Sequence, residues 1–238
     1  MITLERTKEP YAFDGPYSAC FAHPLTAADK RHIFIINDIL KCWPFKSALE
    51  IGSFYGATAT AFVEAINSGQ GLGESGIATF CDVAVSDSLM DVVQNCKDMD
   101  RVRITPQPSW AVLDSREDFD FIFVDGAHDM DSVTIEVTKL LRRRPLCVMA
   151  HDTNATDAGY SKCEGAKMLR EQFAHPFVTM HGYRSIEDRE HRKGERTDRG
   201  LFLSTSNNEL FQLAQTIFQK WKTYEIPIQN TLAPVPTG

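Results

Sequence analysis

The chain has 238 residues, 43% hydrophobic and 24% charged, which suits one large domain or a domain with a modest appendage and is enough to bury a full core. A formal net charge of −7 excludes a sequence-independent grip on nucleic acid, which needs a clustered basic face, and small neutral or cationic partners fit better. No run of about 18 apolar residues offers a membrane span, and "MITLERTKEPYAF" alternates charged and polar residues where a secretory leader needs an apolar core, so a soluble, cytoplasmic protein is expected, with neither membrane nor nucleic acid as partner.

In chain order, Thr26 can cap a helix running through Leu40 with Ile33, Ile36, Ile39 and Leu40 on one face. Strands and helices then alternate: strand 47–51 (SALEI), helix 57–66, strand 77–83, helix 88–99, strand 102–105, an irregular link, strand 119–125, helix 131–143 and strand 146–150. Continuous apolar strands separated by helices imply a parallel sheet covered on both faces. Segments 177–183 and 200–206 are joined by a polar loop rather than a helix, so they should pair as an antiparallel edge. The last helix, 207–224, carries Leu210, Leu213, Ala214, Ile217, Phe218 and Trp221 at helical spacing and should pack on the sheet. The expected class is α/β: a doubly wound, Rossmann-like, mostly parallel seven-stranded sheet with an antiparallel strand near the C-terminal edge. Residues 1–46 read as a lid segment and helix, 47–225 as the main domain and 226–238 as a tail. The six cysteines are scattered without a C-x-x-C pair and read as reduced, core-filling thiols.

The first strand runs into Glu50-Ile51-Gly52-Ser53-Phe54-Tyr55-Gly56 and then directly into a helix. Glycines there let the backbone turn tightly and let a ligand approach the helix N-terminus, where free N–H groups favour electron-rich atoms. Asp82, an acid at the end of the second strand, stands where a carboxylate accepts hydrogen bonds from ribose hydroxyls. A literal G-x-G-x-x-G at Gly71, Gly73 and Gly76 leaves a helix and precedes a strand, the reverse of a dinucleotide fingerprint, and reads as a flexible loop.

On these residues the chain, over roughly Ser47 to Ser206, resembles the class I S-adenosylmethionine-dependent methyltransferases. The resemblance implies S-adenosylmethionine as cofactor, with Glu50, Gly52, Ser53, Tyr55 and Gly56 around its methionine and ribose parts and Asp82 on the ribose. Ser109 and Trp110, after the third strand, become candidates near adenine, although "TPQPSW" lacks the usual small acidic motif and Trp110 could equally be a core aromatic.

The fourth strand ends in "VDGAHD" and the fifth in "AHDTN", which puts Asp125, His128, His151 and Asp152 at two neighbouring strand tips. In a parallel sheet ligands bind beyond the carboxyl ends of the strands, and tips about 4.8 Å apart let carboxylates converge on one cation. An unactivated hydroxyl is a poor nucleophile near neutral pH; a divalent cation lowers its pKa and a nearby imidazole takes its proton. His128 is the natural base. Taken singly, Asp125 also suits a helix-start cap and His128 a backbone hydrogen bond. Four titratable groups at two strand tips favour chemistry.

Within the family the two motifs most resemble the branch of macrocin-type sugar O-methyltransferases and cephalosporin-hydroxylase-like proteins. That resemblance implies a magnesium ion held by Asp125 and Asp152, His128 as base, and Asp125 beside the cofactor as well. His151 replaces an acid common in the branch and either binds the cation or orients Asp152. The implied reaction is methylation of a hydroxyl on a small molecule, a sugar or another secondary-metabolite scaffold, with homo-oligomerisation left open. Two alternatives stand beside it: a non-haem iron oxygenase using His128, His151 and Asp152, and a non-catalytic cofactor-binding partner subunit. Tyr11, Phe13, Tyr17, Phe21 and His23 could form an aromatic lid or simply pack on the domain. Asp129 and Asp131 read as helix-start residues, Arg142 to Arg144 as a solvated helix end, and 187–199 as a loop within reach of the strand ends.

Overall fold

The computed structural model describes residues 30–127, 129–153, 172, 175–180 and 200–222 of the chain. Helix α1 (Lys30–Cys42) precedes β1 (Ser47–Ile51), followed by α2 (Ala59–Ser68), a single turn α3 (Leu72–Ser75), β2 (Ile77–Cys81), α4 (Asp87–Gln94), β3 (Val102–Thr105), α5 (Ser109–Asp114), β4 (Phe121–Val124), α6 (Met130–Arg143) and β5 (Cys147–His151). Strands β6 (Phe177–Met180) and β7 (Leu201–Thr205) and helix α7 (Asn208–Lys222) complete it.

The strands form one seven-stranded sheet in the order β3-β2-β1-β4-β5-β7-β6. The four pairings among the five strands from β3 to β5 are all parallel, whereas β7 runs antiparallel to both β5 and β6. β4 and β5 are buried at every residue because a parallel sheet is covered on both faces. One face packs Phe80, Phe121, Phe123, Met149 and Leu203 against α1, α2 and α7, through Ile33, Ile36, Phe62, Ile217 and Trp221. The other packs Leu49, Ile122, Val124 and Val148 against Val112 and Leu113 of α5 and Val133, Val137 and Leu140 of α6. Each fully buried Phe or Leu contributes about 1.5–3 kcal/mol relative to exposure. The chain works outward from β1 to β3 and returns to the other side of β1 as β4, so strand order reverses between β1 and β4 and a crevice opens beyond their carboxyl ends.

Several local expectations change. The link after β3 contains α5, too short at six residues to show a helical period. The glycines 71, 73 and 76 do not form a flexible loop: Cβ atoms there would lie 2.3, 2.3 and 2.4 Å from neighbouring atoms, and Leu72 is fully buried. Arg101 closes that turn by donating to the carbonyls of Leu72, Gly73 and Gly76. Arg143 is not a solvated end either, since it donates to the carbonyls of Leu113, Ser115 and Glu117 and ties α6 to the end of α5. Cys81, Cys96 and Cys147 are buried as expected, whereas Cys42 is exposed. Asp129 does cap α6, accepting from the Ser132 N–H at 2.9 Å. The aromatic segment 11–23, the loop 187–199 and the tail 226–238 lie outside the described residues, as does Thr26. No helix among the described residues is long and apolar enough to cross a membrane.

Candidate active site

The chain leaves β1 through a turn whose shape only a few residues can hold. Gly52 and Gly56 have φ of 85° and 83°, in the left-handed region, and Phe54 between them has φ of 42°. For a phenylalanine that conformation costs about 1–3 kcal/mol and needs outside support. Support comes from β2: the Phe54 N–H donates to Asp82 Oδ2 at 2.8 Å, the Gly52 N–H donates to the Cys81 carbonyl at 2.9 Å, and Ser86 Oγ donates to the Phe54 carbonyl at 2.8 Å. Asp82 Oδ1 also accepts from the Ala84 N–H at 3.1 Å. A carboxylate has about four acceptor sites, so Asp82 organises the glycine turn and retains capacity for a ligand.

Between this turn and the loops after β3 and β4 lies a cavity of about 590 Å³. Its walls include Gly52, Ser53, Phe54, Tyr55, Asp82, Ser109, Trp110, Asp125, Glu136 and Asp152. Trp110 is 51% exposed, so it is a wall of the cavity and not a core aromatic. Of the residues expected around the cofactor, Glu50 and Gly56 do not line the cavity. Glu50 sits in β1 and is buried between Phe80 and Phe123 of the neighbouring strands. Burial pushes its carboxyl up to about 8, against a lowering contact with Ser53, and the Asp125 and Asp82 carboxylates push the same way as burial. Gly56 instead closes the turn, its N–H donating to the Ser53 carbonyl at 2.7 Å.

At the cavity's other end the tips of β4 and β5 meet. Asp125 follows β4, with its N–H donating to the Ile51 carbonyl at 2.9 Å. His151 is the last residue of β5, and Asp152 beyond it has φ of 55°, a left-handed backbone uncommon for aspartate. His151 Nδ1 lies 3.2 Å from Asp152 Oδ1 and 3.6 Å from Asp125 Oδ1. One ligand atom from each of the three residues falls within 4.8 Å of the others. Burial alone would push the His151 imidazole down, but the Asp152 and Asp125 carboxylates outweigh it and hold its pKa up at about 10. The His32 ring from α1 meets the His151 ring edge-on, with centroids 4.9 Å apart. Two carboxylates and one imidazole, with His151 and Asp152 buried and Asp125 partly exposed, fit a divalent cation of the magnesium, manganese or iron type. His128 lies outside the described residues.

Sequence reasoning missed Glu136. It lies on the buried face of α6 and lines the cavity, and Ser109 Oγ donates to its Oε1. The signal was present: with Val133, Val137 and Leu140 defining the buried stripe, position 136 falls on the same face.

Residues 49–153 match the profile of a family described as "Methyltransferase domain". Among curated proteins none matches the sequence. Solved structures similar in fold include the O-methyltransferase TomG from Streptomyces achromogenes, involved in tomaymycin synthesis and in complex with SAM (17% identity, covering 82% of this chain and 91% of that one, TM-score 0.59). They also include an O-methyltransferase from Bacillus cereus in complex with SAH (15% identity, 80% and 87%, TM-score 0.56) and the cofactor-bound Rv0187 from MTB (13% identity, 81% and 87%, TM-score 0.56). Residues 49–153, which span both the glycine turn and the β4 and β5 tips, thus match a methyltransferase domain, and the chain shares its fold with solved O-methyltransferases that bind SAM or SAH.

Proposed function

We propose that this enzyme transfers the methyl group of S-adenosylmethionine to a hydroxyl of a small molecule, a sugar or another secondary-metabolite scaffold, in the cytoplasm. The observation that carries the reading is the convergence of Asp125, His151 and Asp152 at one end of a cavity whose other walls are the glycine turn and Asp82. TomG and the Bacillus cereus protein, which share the fold, are both O-methyltransferases.

Asp82 holds the ribose while keeping the turn in shape, and Gly52, where a Cβ would meet the Asp125 carbonyl, lets the β1 turn pack directly against the β4 loop beside the methionine end. Asp125, His151 and Asp152 would hold a divalent cation, magnesium being the first candidate, which when bound lowers the pKa of an acceptor hydroxyl. His128, three residues after Asp125, accepts the hydroxyl proton as attack proceeds. The iron-oxygenase alternative leaves the glycine turn and Asp82 without a role, and the described donor set has one histidine and two carboxylates rather than the reverse.

Calorimetric titration with S-adenosylmethionine and S-adenosylhomocysteine, with and without magnesium, tests the reading, with micromolar or tighter binding of both expected. Turnover on a panel of hydroxylated acceptors should fall by about 10² to 10⁴ in His128→Ala. Tight binding of NAD in place of either ligand would sink the proposal.

A further inference from the structure

Helix α1 lies before the stretch that matches the methyltransferase profile, yet it delivers a side chain to the tip of β5. His32, Ile36 and Ile39 share one helical face and are fully buried. The two isoleucines join the core against the sheet. The His32 ring instead meets the His151 ring, with centroids 4.9 Å apart and planes at 73°, a close edge-to-face contact.

The helix that carries His32 is fastened on two sides. Asn37 Nδ2 donates to the Ala61 carbonyl of α2 at 2.8 Å. Asp38 Oδ2 accepts from Trp221 Nε1 at 2.8 Å and from Lys220 Nζ at 2.9 Å, both in α7, and the Phe34 and Trp221 rings pack with centroids 4.9 Å apart. His32 is therefore presented by a rigid element and not by a loop.

What that rigidity does follows from the groups around His151. Its Nδ1 faces Asp152 Oδ1 at 3.2 Å and Asp125 Oδ1 at 3.6 Å. Carboxylate oxygens that turn toward a shared cation no longer steer the imidazole, and a ring that tilts takes its nitrogen lone pair out of line. Contact with His32 depends on shape rather than charge, so it holds the ring in either circumstance.

We propose that His32 is a positioning residue for the candidate cation site: its ring, carried on α1, fixes the plane of the His151 imidazole so that Nδ1 stays aimed at Asp125 and Asp152. The assignment rests on those three residues holding a divalent cation.

The test titrates manganese(II) into the metal-free protein and follows the free ion by electron paramagnetic resonance. His32→Leu fills the space without a flat ring and should weaken manganese binding by about tenfold or more, the usual effect of removing the support of a ligating imidazole. His32→Phe restores a ring and should bind within about threefold of wild type, with S-adenosylhomocysteine affinity within about threefold in both variants. In a His151→Glu background the effect of His32→Leu should vanish, because a carboxylate has no ring plane to fix. A loss of equal size there would show that His32 does not act through His151 and would overturn the proposal. Unchanged manganese binding in His32→Leu would overturn it too, as would a folded His32→Phe that binds no better than His32→Leu, or a His32→Leu chain that does not fold, which would make the position structural. The wild type alone supplies another check: NMR relaxation at the His151 ring of the metal-free protein should give an order parameter near about 0.85, and a value below about 0.6 would mean that nothing holds the ring. No manganese binding by the wild type at millimolar ion would instead overturn the cation reading and this proposal with it.

Discussion

A β-carbon on Gly52 would stand 2.2 Å from the carbonyl oxygen of Asp125, so the turn after β1 and the loop after β4 share a space that only glycine leaves open. The obstacle is backbone, which cannot swing aside as a side chain would, and φ at Gly52 is 85°. Gly52→Ala should therefore lower the melting temperature and weaken S-adenosylhomocysteine binding by about a hundredfold or more. Gly69 makes the control: it has a φ of 70° but no atom within 4 Å of an added Cβ. Gly69→Ala should cost only about 1 kcal/mol of strain and leave binding alone. Comparable binding losses in the two variants would show that the Gly52–Asp125 approach plays no special part.

Asp82 has two tasks that can be separated by measurement. Asp82→Ala strands the Phe54 and Ala84 N–H groups and removes the ribose acceptor, so both stability and affinity should drop, the latter by roughly tenfold to a hundredfold. Asp82→Asn keeps one acceptor oxygen for the Phe54 N–H and should recover most of the stability but little of the affinity. Full cofactor affinity in the Asn variant would mean that the ribose is held elsewhere.

At the β4 and β5 tips, Asp125→Asn and Asp152→Asn should each remove metal-dependent turnover while leaving S-adenosylhomocysteine affinity within a few-fold of wild type, because the amides keep shape and lose charge. His151→Glu replaces an imidazole with a harder oxygen donor and should preserve or tighten magnesium binding. Magnesium titration of the three variants, and turnover before and after EDTA, decide the matter. Unchanged turnover after chelation would remove the cation from the reaction.

Glu50 predicts a stability that depends on pH. Its folded pKa, held up at about 8 by burial, lies above the unfolded value near 4.3. Below about pH 4 both states are protonated and the group is neutral in effect. As pH rises from there the unfolded chain ionises first, so stability declines until the folded carboxyl also ionises near pH 8, a loss of about 3–5 kcal/mol at most. Glu50→Gln abolishes the difference: the variant should melt with the wild type at pH 4 and several degrees higher at pH 8. Parallel melting curves for the two proteins across that range would contradict a buried, protonated Glu50.

The alternation of strands and helices, the exact spans of β1 and β3 and the antiparallel edge were legible in the sequence because they follow local rules: two-residue and 3.6-residue periods, and loops too polar to be crossovers. The turn 50–56 and the acid at 82 were legible for the same reason, as were the tips at 125 and 151–152. Where local signals were weak the reading slipped. α5 has only six residues, and the glycines 71, 73 and 76 look like slack chain until Leu40, Ala65 and Phe45 are packed against them.

What the residues by themselves determined was the set of elements and the chemical types at their ends, since hydrophobic period and glycine placement act over a few neighbouring positions. Tertiary structure alone decided which of those groups face one another. The reversal of strand order between β1 and β4 opens the crevice, and the β4–β5 register brings Asp125 to within 3.6 Å of His151. The same packing turns Glu50 into the core and Glu136 toward Ser109, although both are glutamates on buried faces of regular elements. The reason is physical: the energy of a carboxylate depends on the water and partners around it, and those are supplied by segments distant in the chain.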